Sequence, residues 1–145
     1  MYTYDFRCRR YVSSAYFHEQ GTDLSKGLLL YAEKKAITEK GFYWLLISIA
    51  SNWAGAAGRE DKLKTDKLPL ADRVIWALEN ETAFIAYATA PKKHQGWMYA
   101  EKPWQFLAAC NELKKLREFQ SKLDWKEKKS RLYDYPSGLI VYIDG

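Results

Sequence analysis

Two histidines, two cysteines and a scatter of carboxylates are the groups in this chain that could carry acid–base, nucleophilic or metal chemistry. His18 stands beside Glu19, and the pair could form half of an acid–base couple, with His94 or a lysine as the other half, as phosphodiester cleavage requires. Nothing else in the sequence supports that role, and both histidines read as loop residues. Cys8 and Cys110 have no second Cys or His at ligand spacing, so no zinc pattern can be drawn. Asp61, Asp66 and Asp72 show no metal-binding spacing either. The sequence contains no phosphate-cradling glycine loop, nucleophile elbow or kinase-like motif set. The expectation is therefore no catalytic residue, no metal and no cofactor, with an enzyme such as a small nuclease or hydrolase the least favoured class.

Binding is better represented. The stretch Lys92-Lys93-His94-Gln95-Gly96-Trp97-Met98-Tyr99, continuing through Lys102 to Trp104, interleaves cations with flat rings. Lysines in such a loop can meet phosphates while Trp or Tyr stacks on exposed bases. Gly96 would give the loop freedom to adapt. The plainer alternative has Trp97 and Trp104 packing inward to pin the loop, with the lysines only solvating it. Arg7, Arg9 and Arg10 make a second basic cluster, suited to an acidic protein or to a nucleic acid. Gly55-Ala56-Ala57-Gly58 has the GXXG spacing of a backbone clamp. Arg59-Glu60-Asp61-Lys62 then brings two acids to where phosphate would sit, so a helix terminator is the better reading. Lys114, Lys115, Lys122, Lys126, Lys128 and Lys129 alternate with Glu112, Glu118, Asp124 and Glu127, the pattern of a solvated face.

These candidates need a scaffold. Tyr2, Tyr4, Phe6 and Cys8 alternate with polar residues, the period of a strand with one covered face. Thr22 or Asp23 can cap a helix running to about Ala36, with Leu24, Leu28 and Tyr31 on one side. Thr38 can cap a core helix through Phe42 to Trp53, ended by Gly55 and Gly58; Trp44 and Leu46 are assigned to its buried face. Helical spacing recurs at Leu70, Val74 and Leu78, and pattern alone leaves residues 82–88 open between helix and strand. Pro103 suits the first turn of a long helix. Phe106, Ala109, Leu113, Leu116, Gln120 and Leu123 follow steps of three and four along it, the stripe of an amphipathic helix docked on a core. Tyr135-Pro136-Ser137-Gly138 reads as a turn between strands 131–135 and 139–143. The fold expected is α+β and mostly helical, with about four helices packed on a small antiparallel sheet. That sheet would combine the N-terminal strand with the C-terminal hairpin, in one domain over residues 1–145.

Composition sets the remaining bounds. Six Trp, eleven Tyr and six Phe among 145 residues exceed what one small core readily hides, so some rings belong at the surface. The apolar stretch from Gly41 to Gly58 is broken by Ser48, Ser51, Asn52 and glycines, which suits a buried helix better than a bilayer span. No apolar run of signal-peptide type opens the chain, so a cytoplasmic location without membrane contact is expected. The net charge of +5 is spread thinly along the sequence, and it permits a polyanionic partner without demanding one. The reading that follows is a small non-enzymatic accessory protein that binds nucleic acid through the Lys92–Trp104 loop. The alternative is a protein–protein adaptor or inhibitor, of the kind phages and mobile elements encode, acting through exposed aromatics and the amphipathic helix.

Overall fold

A computed structural model describes residues 2–4, 10–12, 22–54 and 64–140. Its elements run β1 (Tyr2–Tyr4), β2 (Arg10–Val12), α1 (Asp23–Leu28), β3 (Leu30–Ala36), α2 (Thr38–Trp53), α3 (Leu70–Glu79), α4 (Glu81–Thr89), α5 (Pro103–Ser121), α6 (Glu127–Ser130) and β4 (Pro136–Leu139). Single 3-10 turns occupy Thr65–Lys67 and Gln95–Tyr99. The class is α+β and mostly helical. The 82–88 stretch is settled as helix, separated from α3 by Asn80 alone.

The core lies where α2, α3, α4 and α5 meet. Leu45, Leu46, Ile49 and Trp53 from α2 pack with Ala77, Phe84, Trp97, Phe106, Ala109, Cys110 and Leu113. Phe106 is the hub, with ring centroids 5.1 Å from Trp53 and 5.4 Å from Phe84, the latter edge-on. The stripe expected on α5 is buried from Phe106 through Ala109, Leu113 and Leu116 to Gln120, whereas Leu123, its last expected member, lies past the helix end and is half-buried. Trp44 is a correction. It sits 51% exposed, edge-on to Tyr43, because the buried face of α2 begins at Leu45.

The strands pair differently from expectation. β1 and β2 form an antiparallel hairpin of their own, with Tyr2 opposite Val12 and Tyr4 opposite Arg10. Phe6 and Cys8 lie outside the described residues. The helix proposed to reach Ala36 stops at Leu28, and Leu30–Ala36 becomes β3. Leu28 to Tyr31 contain no breaker. The deciding force is nonlocal: β3 pairs antiparallel with β4, Leu30 opposite Leu139 and Ala36 opposite Pro136, with a bulge between. Residues 136–138 are thus strand, not turn. Gly138 serves close approach, since a Cβ there would lie 2.8 Å from the Tyr31 carbonyl oxygen. The 131–135 segment is not a ladder strand, yet its carbonyls work like one. Tyr135 and Tyr133 accept the backbone N–H groups of Ile37 and Thr38, at 2.9 and 3.1 Å.

Helix ends explain the joints. The Thr38 hydroxyl accepts from the Gly41 N–H at 3.3 Å, as a cap should, but Thr38 itself has φ of 61°. α2 ends on Ala54 in the left-handed region, its N–H bonded to the Ala50 carbonyl; the glycines expected to end it lie outside the described residues. Thr65, fully buried, donates its hydroxyl to that same Ala50 carbonyl at 2.6 Å. Arg73 then spreads its guanidinium over the Leu68 and Asp66 carbonyls and the Ser51 hydroxyl, tying the 3-10 turn to α2. Thr22 caps α1 through Ser25. Asp23 does something sequence reading missed. Its carboxylate accepts from the Trp104 and Gln105 N–H groups at 2.9 and 3.2 Å, capping α5 from 81 residues away.

Candidate nucleic-acid interface

The Lys92–Trp104 loop leaves α4 at Ala90, whose carbonyl receives the N–H groups of both Lys93 and His94. Gln95 folds back to the Lys92 carbonyl at 3.0 Å, and the 3-10 turn Gln95–Tyr99 follows. At the far end, Glu101 and Lys102 donate their N–H groups to the Trp53 and Asn52 carbonyls at the C-terminus of α2. The loop is therefore anchored at both ends on core helices.

This anchoring sorts its side chains. Lys92, Lys93, His94, Met98 and Tyr99 face solvent. Trp97 points inward: it is 7% exposed, donates its indole N–H to the Pro91 carbonyl at 2.9 Å and packs 5.1 Å from Trp104. A buried ring cannot stack on a base, so Trp97 leaves the set of binding residues. Gly96 is likewise explained by packing, because a Cβ there would fall 2.5 Å from the Tyr87 hydroxyl. Trp104 is half exposed, and its backbone presses on Gly27 of α1. Lys102 is half-buried. Arg7 and Arg9 lie outside the described residues, and Arg10 enters β2 opposite Tyr4.

Beside the loop, a cleft of about 340 Å³ runs between α1, the start of β3, and α4 and α5. Leu28, Leu30, Pro91, Trp104 and Leu107 give it apolar walls, and Asn111, Glu112 and Lys115 add polar lining. Burial first, then the charge of the buried Glu112, push the Tyr135 hydroxyl up to about 12. Burial also pushes the Cys110 thiol well up, which holds it as an unreactive core side chain.

Among the described residues no group of three His, Cys, Asp or Glu is placed to hold a metal, and no helix is long and apolar enough to cross a membrane. His94 stands exposed. His18 lies outside the described residues. The loop thus presents Lys92, Lys93 and His94 outward, with Tyr99 exposed beside them.

Relatives give this surface its context. The sequence profile of the DNA-dependent RNA polymerase family matches residues 35–145. T7 RNA polymerase of Escherichia phage T7 is 37% identical over 111 residues, which are 77% of this chain and 11% of that protein. The DNA-directed RNA polymerase of Enterobacteria phage K11 is 38% identical over the same shares. The mitochondrial DNA-directed RNA polymerase of Homo sapiens is 34% identical over 110 residues, 75% of this chain and 8% of that protein. The chain thus spans about a tenth of the length of the relatives it matches. These relatives are enzymes, which overturns the reading as a non-enzymatic accessory protein or adaptor and with it the expectation against an enzyme. A shared core over three-quarters of its length makes this chain a member of the DNA-dependent RNA polymerase family, in company with phage and mitochondrial relatives.

Proposed function

We propose that this chain works in RNA synthesis directed by a DNA template, supplying a nucleic-acid-holding part of the polymerase. The observation that carries the reading is the family match over residues 35–145, which takes in α2 to α5 and the loop they anchor. Lys92, Lys93 and His94 meet strand phosphates, Tyr99 is the ring free to stack, and Arg7, Arg9 and Arg10 add further phosphate contacts. Phosphate contacts carry no sequence information. An enzyme that must copy any template needs contacts of that kind.

The test is a graft. Residues 35–145 replace the matching segment of T7 RNA polymerase, and incorporation of labelled ribonucleotides on a DNA template is measured. A chimera with the parent's circular dichroism and melting behaviour is expected to make RNA, whereas deleting the segment abolishes synthesis. A folded chimera that makes none overturns the proposal.

A further inference from the structure

We infer that the turn joining α5 to α6 is a second strand-holding surface, in which Trp125 stacks on an unpaired base while Lys122, Lys126, Lys128 and Lys129 meet the phosphates beside it. The inference rests on the polymerase reading for the kind of partner and places it on a surface separate from the Lys92–Trp104 loop.

Trp125 is 68% exposed, the highest value for a large hydrophobic side chain among the described residues. The ammonium groups of Lys126 and Lys129 stand 5.5 and 5.7 Å from the centre of its ring. Exposed cation–π contacts are weak, so an incoming base and phosphate can displace them. The acids of the segment are committed elsewhere. Glu127 and Asp134 both pair with Arg131, at 3.7 and 3.5 Å, and Asp124 accepts the Glu127 N–H at 2.7 Å. Among the described residues, none of the four lysines has a carboxylate at ion-pair distance. Alternation of charge along the sequence suggested a solvated face; the fold turns Glu127 and Asp134 to Arg131 and Asp124 to a backbone N–H, and leaves the four lysines without a carboxylate at ion-pair distance among the described residues.

The mounting is firm. Gln120, buried at the end of α5, donates to the Leu132 carbonyl at 3.0 Å and accepts from Arg117 at 2.9 Å. Arg117 is in turn held by both carboxylate oxygens of Glu81 on α4. Gln120 therefore closes the base of the turn and explains why a polar residue occupies a stripe of apolar ones. A platform fixed in this way loses little freedom when a strand binds. Stacking requires an open base face, so single strands are the fitting partner and duplexes are not.

The experiment titrates the full chain against a single-stranded oligonucleotide and its duplex at several salt concentrations. Trp125→Ala is expected to weaken single-strand binding roughly tenfold without changing the salt slope. Lys126→Ala with Lys129→Ala is expected to reduce that slope by about 1.4, or about 0.7 for each lost phosphate contact. All three side chains are exposed, so circular dichroism should be unchanged; Lys92→Ala with Lys93→Ala, in the same titration, reports the other surface. Single-strand binding unaltered by Trp125→Ala, a slope unaltered by the lysine pair, or equal affinity for the duplex would each overturn the inference. Nucleotide incorporation by the chimera is read separately, so the polymerase reading can stand while this surface fails.

Discussion

Replacing Trp97 by Ala removes a ring that is 7% exposed, packs on Trp104 and spends its indole N–H on the Pro91 carbonyl. Truncating such a side chain costs about 3–5 kcal/mol. Trp44→Ala, at a ring 51% exposed, should cost well under 1 kcal/mol. Denaturant midpoints of the two variants test the assignment, and equal midpoints would refute it. The two tryptophans also show what sequence conveys at this scale. A Trp among lysines and a Trp among leucines have obvious neighbours in sequence, but the side they face depends on contacts fixed elsewhere, here the Pro91 carbonyl and Tyr87 beside Gly96. Tyr135 gives a pH-dependent counterpart. Its hydroxyl is raised to about 12 by burial and Glu112, so the fold favours the neutral phenol. That contribution is complete below the unfolded-state value of about 10 and is lost as pH rises from there through about 12. Tyr135→Phe should therefore flatten the alkaline fall of stability between those values. A melting-temperature profile with the same alkaline slope in both proteins would contradict it.

Elements were legible in proportion to how local their causes are. α5 announces itself through Pro103 at its start and a stripe of apolar residues, and both features hold. β3 does not, because Leu30–Ala36 owes its form to β4, whose Leu139 pairs with Leu30 and Pro136 with Ala36 from the far end of the sequence. Gly138 reads as a turn residue until the Tyr31 carbonyl is placed against it. Asp23 reads as the cap of its own helix, yet it caps α5. Asp23→Ala should lower stability by about 1–2 kcal/mol, since two N–H groups at the start of α5 lose a charged acceptor. Asp23→Asn should recover most of this, and a melt in which neither variant differs from the parent would discount the cap. Ala54 offers the opposite change. Its φ of 55° is costly for a residue with a Cβ and free for glycine. Ala54→Gly should raise stability by about 0.5–1 kcal/mol, read as a higher midpoint with an unchanged denaturant slope.

For the whole molecule, polymerase membership was not legible because the segment spans about a tenth of its relatives and its kinship lies in likeness over 111 residues, not in a short motif of general chemistry. Charge and rings in the sequence suggested the nucleic-acid partner that the polymerase reading also proposes, although the ring assigned to stacking turns inward. Beside the exposed Tyr99, what the loop keeps is charge. Lys92 and Lys93 stand exposed on a segment tied to α4 and α2, and their charge can act without any ring beside it. Replacing both with Ala should weaken single-strand binding by a similar factor for every sequence and make its salt dependence shallower, by about 1.4 in slope. Trp97→Phe should leave that slope alone, because the residue it alters lies in the core. Gel-shift titrations at several salt concentrations, with two unrelated oligonucleotide sequences, check both statements. A lysine pair whose loss changed affinity for one sequence only would mean that the loop reads bases. A slope that ignored the pair would remove the loop from the interface altogether.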